Sequence, residues 1–167
     1  MAELMGKVAV ITGAGSGMAR ASAQVFVREG AKVLAADISG RQEETAAALG
    51  DAVVPFQVDV TDESSVEAMF AAALEAFGRV DAVLNVAGIG HGGRLADVEL
   101  DEYEKVMAVN LRGVWLGTKH AIRTMVPTGG GVILNWSSTG GMNAVSYTHL
   151  DVYKRQPSSW PPSGSSS

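Results

Sequence analysis

Five short apolar runs, separated by longer amphipathic stretches, restrict the fold of this chain more than any other feature. The runs are 7–12 (KVAVIT), 32–36 (KVLAA), 53–58 (VVPFQV), 80–85 (VDAVLN) and 131–136 (GVILNW). They are nearly continuous in apolar character rather than alternating, as strands buried on both faces of a parallel sheet must be. Helical patterns fill the intervals at 18–29, 42–49, 63–77 and 101–125, and the last can begin near Leu100. Thr61 or Asp62 can cap the third helix, and Gly30 and Gly78 stand where helices should end. Strict alternation of strand and helix implies right-handed crossovers and an α/β fold, a doubly wound parallel sheet of Rossmann-like type with five strands.

Composition removes several function classes. The chain has 167 residues, enough for one domain with a core. Thirteen basic residues against 18 acidic ones give a net charge of −5 without long blocks, which speaks against a nucleic-acid partner. With no cysteine there is no disulfide framework, thiol nucleophile or cysteine-bound zinc site. His91 and His120 lack metal-ligand spacing or a nearby acid pair, so no metal is expected and both are read as surface or helix-face residues. No apolar run has the length of a membrane span, and the first residues, MAELMGK, carry an early acid and no signal-peptide stretch. A cytoplasmic protein is the expectation.

The chemistry begins where the first strand ends. Thr12-Gly13-Ala14-Gly15-Ser16-Gly17-Met18-Ala19 joins that strand to the first helix. A tight turn that brings backbone close to a pyrophosphate leaves no room for Cβ atoms, and the following helix N-terminus offers free N–H groups to the phosphates. Asp37 closes the second strand twenty residues after Gly17, where an acid can accept hydrogen bonds from the adenosine ribose hydroxyls. The same acid repels a 2′-phosphate, and no arginine or lysine follows it until Arg41, so NAD is favoured over NADP.

The loop TGAGSGMA, Asp37, the pair Asp59-Val60, the segment Asn85-Val86-Ala87-Gly88, Asn110 within VNLRG and Ser137-Ser138 occur in an order and spacing that resembles the short-chain dehydrogenase/reductase family from about Gly6 to Ala144. The resemblance implies that Gly13, Gly15, Ser16, Gly17 and Met18 hold the cofactor phosphates, with Ala19 where the family most often has glycine. Asp37, with Ile38 beside it, would meet the adenosine ribose, and Asp59 and Val60 the adenine ring. Asn85, Ala87 and Gly88 would wall the riboses, Val86 standing where a second asparagine is common. Asn110 would sit at a break in the fourth helix and hold a water in a proton relay. Ser138 would polarise the substrate oxygen, with Ser137 the adjacent alternative. Asn110 and Ser138 are thus the catalytic candidates. Val114, Trp115, Leu116 and Met125 read as core or subunit-interface residues, the family implying a homo-oligomer. His91, Gly92, Gly93 and Arg94 offer a rim for the substrate pocket.

The pattern then stops. The family's chemistry needs a tyrosine with a lysine four residues later, because an unassisted phenol near pKa 10 is a poor base at neutral pH. The tyrosine is expected about thirteen residues after Ser138, where Asp151 stands; Tyr147 is followed four residues later by Asp151, and Tyr153 is next to Lys154. Residues 145–156 (VSYTHLDVYKRQ), with a GCT codon for Ala144, can be back-translated as a DNA inverted repeat that resembles two transposase mosaic ends joined head to head. Beyond it, three of the five prolines and six serines fall within residues 157–167, a composition that cannot build a core. The expected organisation is therefore a truncated NAD-binding Rossmann-like domain at 1–144 and an adapter-derived, low-complexity tail at 145–167. Val132, Ile133 and Leu134 would then lie on an exposed apolar edge strand.

Two functions follow. One is an NAD-dependent oxidoreductase acting on a small-molecule secondary alcohol or ketone, this chain itself lacking turnover without the tyrosine–lysine pair. The alternative is a non-catalytic NAD-binding regulatory module.

Overall fold

The computed structural model describes residues 2–90 and 94–138. The boundary at 144, the segment 145–156 with Tyr147, Asp151, Tyr153 and Lys154, and the rim residues His91, Gly92 and Gly93 lie outside the described residues.

Strand β1 (Val8–Thr12) is buried at all five positions, and its side chains alternate between two cores. Val10 points to one face, where it joins Leu34, Val83, Met69, Phe70 and Leu116, while Ala9 and Ile11 join Val33, Leu84, Ala19 and Ala23 on the other. This double burial is why the run reads as continuously apolar. Strands β2 (Lys32–Asp37), β3 (Val53–Gln57), β4 (Ala82–Asn85) and β5 (Val132–Asn135) complete a sheet of order β3-β2-β1-β4-β5. Every pairing is parallel. Chain order reverses between β1 and β4, and at such a switch point a crevice opens beyond the carboxyl ends of the strands.

Helices α1 (Gly17–Arg28) and α2 (Gln42–Leu49) cover the Ile11 face, and α3 (Glu63–Phe77) and α5 (Val114–Met125) cover the Val10 face. Ala19 and Ala23, both at most 2% exposed, bring α1 close to the sheet. The small side chain at Ala19 therefore performs the packing role that a third glycine would have. Asp62, rather than Thr61, caps α3: its carboxylate accepts from Ser64 N at 3.3 Å and Ser65 N at 3.1 Å. Each fully buried large side chain, such as Ile11, Leu34, Leu84 or Met69, stabilises the fold by about 1.5–3 kcal/mol.

The fourth helical pattern is interrupted. Helix α4 (Leu100–Met107) passes through a π-helical segment, Ala108–Gly113, into α5. Leu116 and Met125 are buried and Val114 is half-buried, but Trp115 is 58% exposed and so belongs to the surface, not the core. The surface reading of His120 is corrected. It is buried, its ring stacks on Phe70 at 6.3 Å, and its Nε2 lies 3.2 Å from Glu63 Oε1. The acid that makes this burial tolerable is 57 residues away in sequence, on the first turn of α3. On β5, Val132 and Leu134 are exposed while Ile133 packs against the α3–α5 core.

Candidate nucleotide-binding cleft

Thr12, the last residue of β1, organises the site. Its Oγ1 donates to Leu84 O and accepts from Val86 N at 3.1 Å and Ala87 N at 3.2 Å. The ends of β1 and β4 are thereby joined, and two partly buried N–H groups find a partner. The next residue, Gly13, has φ 76°, and a Cβ there would stand 3.0 Å from Ala87 Cα. Backbone against backbone cannot give way, so only glycine serves this turn.

The turn is also fastened to β2 and α2. Ala14 N donates to Ala36 O at 3.0 Å, and Thr45 Oγ1 donates to Ala14 O at 2.8 Å. Gly15 N donates to Asp37 Oδ2 at 2.9 Å, while Ser39 N donates to Asp37 Oδ1 at 2.9 Å. Burial by itself would raise the Asp37 pKa, but the hydrogen bonds from Ser39 and Gly15 and the nearby Arg41 charge outweigh it and hold the carboxyl below its ordinary value. An ionised carboxylate is thus fixed at the lip of the crevice.

The result is a cleft of about 400 Å³ at the switch point. Gly13, Ser16, Gly17, Met18 and Ala19 line one side, and Asp37, Ile38, Ser39 and Arg41 the end beyond β2. Val58, Asp59 and Val60 follow β3, and Val86, Ala87, Gly88, Ile89 and Val109 form the far wall. Asp59 Oδ1 is engaged by Thr61 N and Thr61 Oγ1 at 2.8 and 2.7 Å.

Ten of the residues read from sequence as cofactor contacts line this cleft: Gly13, Ser16, Gly17, Met18, Asp37, Ile38, Asp59, Val60, Ala87 and Gly88. Two are placed behind its wall. Gly15 spends its N–H on Asp37, and its missing side chain makes room for that carboxylate, since a Cβ would lie 2.9 Å from Oδ2. Asn85 is 4% exposed and turns inward, its Nδ2 donating to Asn135 Oδ1 at 2.8 Å and to Thr118 Oγ1 at 3.4 Å. It ties β4 to β5 and α5 beneath the site.

Asn110 lies in the π-helical segment, a deviation that often accompanies functional sites. Its Oδ1 accepts from Ile89 N at 2.9 Å and its Nδ2 donates to Ile89 O at 2.7 Å. Both ends of the amide are therefore engaged in holding the far wall. Ser137 and Ser138 are exposed just beyond β5. Sequence reasoning did not assign Thr12, Ser39, Arg41, Ile89 or Val109 to the site. Each stands within a few residues of one that was assigned: Thr12 before Gly13, Ser39 and Arg41 after Asp37, Ile89 after Gly88 and Val109 before Asn110. Among the described residues, no group of three or more acidic or histidine side chains is placed to hold a metal ion, and no helix is long and apolar enough to cross a membrane.

Comparison with known proteins agrees with this architecture. The family model for short chain dehydrogenase matches residues 7–154. A 2,5-dichloro-2,5-cyclohexadiene-1,4-diol dehydrogenase of Sphingobium indicum is 43% identical over 145 residues, covering 84% of this chain and 58% of the relative. The 2-(R)-hydroxypropyl-CoM dehydrogenase of Xanthobacter autotrophicus is 40% identical over 148 residues, with coverage of 84% and 59%. Among solved structures, a 3-ketoacyl-(acyl-carrier-protein) reductase from Brucella melitensis complexed with NADH superposes with TM-score 0.80 and 41% identity, over 83% of this chain and 60% of that one. A short chain dehydrogenase/reductase from Burkholderia phymatum in complex with NAD gives TM-score 0.82 and 37% identity, over 87% and 53%. The chain thus spans somewhat more than half the length of these relatives. The strand order, the glycine turn wedged against Ala87 and the match over residues 7–154 lead to one conclusion: the chain belongs to the short chain dehydrogenase family.

Proposed function

We propose that the chain is the nucleotide-binding part of an NAD-dependent oxidoreductase that moves a hydride between nicotinamide and a small-molecule secondary alcohol or ketone. The observation that carries this reading is the Asp37 carboxylate, held ionised by Gly15 N and Ser39 N beside a glycine turn that excludes side chains. The relatives bound to NADH and NAD, and those named as dehydrogenases, support it.

The residues present fit a dinucleotide: glycine at 13, where a Cβ would press on the Ala87 backbone, keeps the turn tight beside the cleft, and Gly15 leaves room for the Asp37 carboxylate at its end. Gly17 and Met18, at the N-terminus of the twelve-residue α1, offer N–H groups and positive potential to a pyrophosphate, with Gly13 and Ser16 lining the same side of the cleft and Gly15 holding Asp37 from behind it. Asp37 accepts from ribose hydroxyls and repels a 2′-phosphate. Ile38, Asp59 and Val60 line the adenine end, and Ala87 and Gly88 the wall beyond it. When bound, the nicotinamide supplies the hydride donor or acceptor. Ser138 donates a hydrogen bond to the substrate oxygen, stabilising charge that develops there. Asn110 keeps the wall in register through Ile89, beside the proton relay.

None of the three tyrosines, Tyr103, Tyr147 or Tyr153, has a lysine four residues on. We propose that this chain binds NAD without turnover, that residues 1–144 are the dehydrogenase segment, and that 145–167 are adapter-derived. The same missing pair favours the second reading, a non-catalytic NAD-binding regulatory module. A cytoplasmic location and a homo-oligomer of the whole protein complete the reading, the latter supported by exposed Leu111, Trp115 and Ile122 along one helical stretch. Fluorescence titration with NADH tests the site: binding lost in Asp37→Ala and retained in Ser138→Ala supports it, and equal loss in both sinks it. Sequencing source DNA across codons 130–160 separates the two functions. A frame that continues past Ala144 into Tyr-x-x-x-Lys gives the enzyme, whereas a genuinely encoded 145–156 gives the regulatory module.

A further inference from the structure

We propose that Met18 is an oxidation site, and that conversion of its thioether to the sulfoxide by hydrogen peroxide closes the cleft to the dinucleotide. The proposal rests on the cofactor reading above and adds to it a chemical modification that sets whether the phosphate end is open.

Among the described residues, Met5 is 70% exposed and Met18 64%, whereas Met69 and Met125 are at most 3% exposed. The two open methionines lie at opposite ends of β1. Met5 precedes the strand and packs on Gly30, where an added Cβ would stand 3.2 Å from Met5 Cε. Met18 follows the strand, on the first turn of α1, and lines the cleft beside Gly13, Ser16 and Gly17. Exposure makes both side chains reactive, since the oxidant reaches a thioether from water. Only Met18 stands where the product changes a site.

The step is a two-electron oxidation of sulfur. Its lone pair attacks one oxygen of hydrogen peroxide, the S–O bond forms as the O–O bond breaks, and the other oxygen takes up the displaced proton and leaves as water. An apolar side chain thereby becomes a polar one with an acceptor oxygen. The backbone beside it is short of acceptors. The ladder of α1 starts with Arg20 N donating to Ser16 O at 3.1 Å, and the Ser16 side chain makes no capping hydrogen bond. N–H groups of the first turn, those of Gly17 and Met18 among them, are thus left for an outside acceptor, which a bound pyrophosphate would be. The start of α3 differs, because the Asp62 carboxylate already occupies its N–H groups. Helical side chains lean back toward the N-terminus, so a sulfoxide oxygen on Met18 is tethered beside these donors. It puts negative partial charge where the phosphates must come, and no other residue need move.

The test treats the full chain with hydrogen peroxide, removes the oxidant, and reads oxygen gain at each methionine by peptide mass spectrometry and NADH affinity by fluorescence. The parent, Met5→Leu and Met18→Leu are each compared with themselves before and after treatment, with circular dichroism as the check on folding. Met5 and Met18 are expected to gain oxygen before Met69 and Met125. Treatment should lower NADH affinity by about tenfold in the parent and in Met5→Leu, the size of one competed hydrogen bond, and leave that of Met18→Leu where it stood. Methionine sulfoxide reductase should restore the treated parent, a readout that needs no variant. Oxidation of Met18 no faster than that of Met69 or Met125 overturns the proposal. So does an equal loss in treated Met18→Leu, or undiminished binding by parent chain whose Met18 is fully converted. Failure of the untreated parent to bind NADH overturns the cofactor reading, and the proposal with it.

Discussion

Leu84 and Leu134 are neighbours in the sheet, paired in register on β4 and β5, yet one is 1% exposed and the other 42%. Register partners in a parallel ladder point to the same face, so composition and strand propensity are identical at the two sites. The difference is the cover. Leu84 joins the core under α1 with Ile11 and Ala19, whereas that face of β5 leaves Val132, Leu134 and Trp136 open. A hydrophobic side chain stabilises only through the surface that another element removes from water. In this molecule the glycine turn and Asp37 rest on the covered strands, and Ser138 follows the uncovered one.

Four consequences test how deep that contrast runs. Leu84→Ala should cost about 2–5 kcal/mol, measured by urea unfolding, because the surrounding core cannot collapse onto the cavity. Thr12→Val should cost about 1–3 kcal/mol, since it leaves the buried-side N–H groups of Val86 and Ala87 without their acceptor, and NADH binding should weaken with it. Asn135→Ala removes the partner of the buried Asn85 amide and should cost about 1 kcal/mol, Thr118 remaining as an alternative acceptor. Its clearer signature is hydrogen exchange that quickens on β5 and leaves β1 and β2 unchanged. Leu134→Ala should change stability by less than about 0.5 kcal/mol, as an exposed substitution does. A cost matching that of Leu84→Ala would mean that β5 is covered in solution and would break the comparison.

Acid should act on the covered half. Asp37 is held below its ordinary carboxylate value of 3.8 as described above. Asp81 is also lowered: burial acts to raise it, and hydrogen bonds from Arg79 and Val8 N with the Arg79 and Lys7 charges outweigh that. A carboxyl with a lowered native pKa contributes stability in full above its unfolded value and loses it as pH falls through the native one. Unfolding midpoints should therefore be flat near neutrality and decline below about pH 4, where these carboxyls begin to bind protons. Asp81→Asn should flatten part of that decline, and an unchanged acid profile would remove Asp81 from the account.

Much of the fold and part of the site were legible in the sequence because the physics there is local. Helix α2 begins and ends where its period predicts, and α3 where period, the Asp62 cap and Gly78 predict. The turn at Gly13 and the acid at Asp37 sit within one strand–helix–strand unit, so spacing along the chain nearly equals arrangement in space. Strand β4 starts two residues later than its apolar run, since Val80 is buried without entering the ladder. The break at Asn110 followed from the family pattern, but the use of its amide on Ile89 did not.

The sequence by itself determined the alternation of strands and helices, the glycine turn and the acid that faces it, because periodicity, caps and backbone sterics act over a few residues. Only the tertiary structure decided that His120 is buried against Glu63 and Phe70, that Asn85 turns inward to Asn135, and that Leu134 stays open beside a covered Leu84. Each of these depends on which distant element arrives at a given spot, and solvent exclusion and electrostatic partnership are set by that arrival.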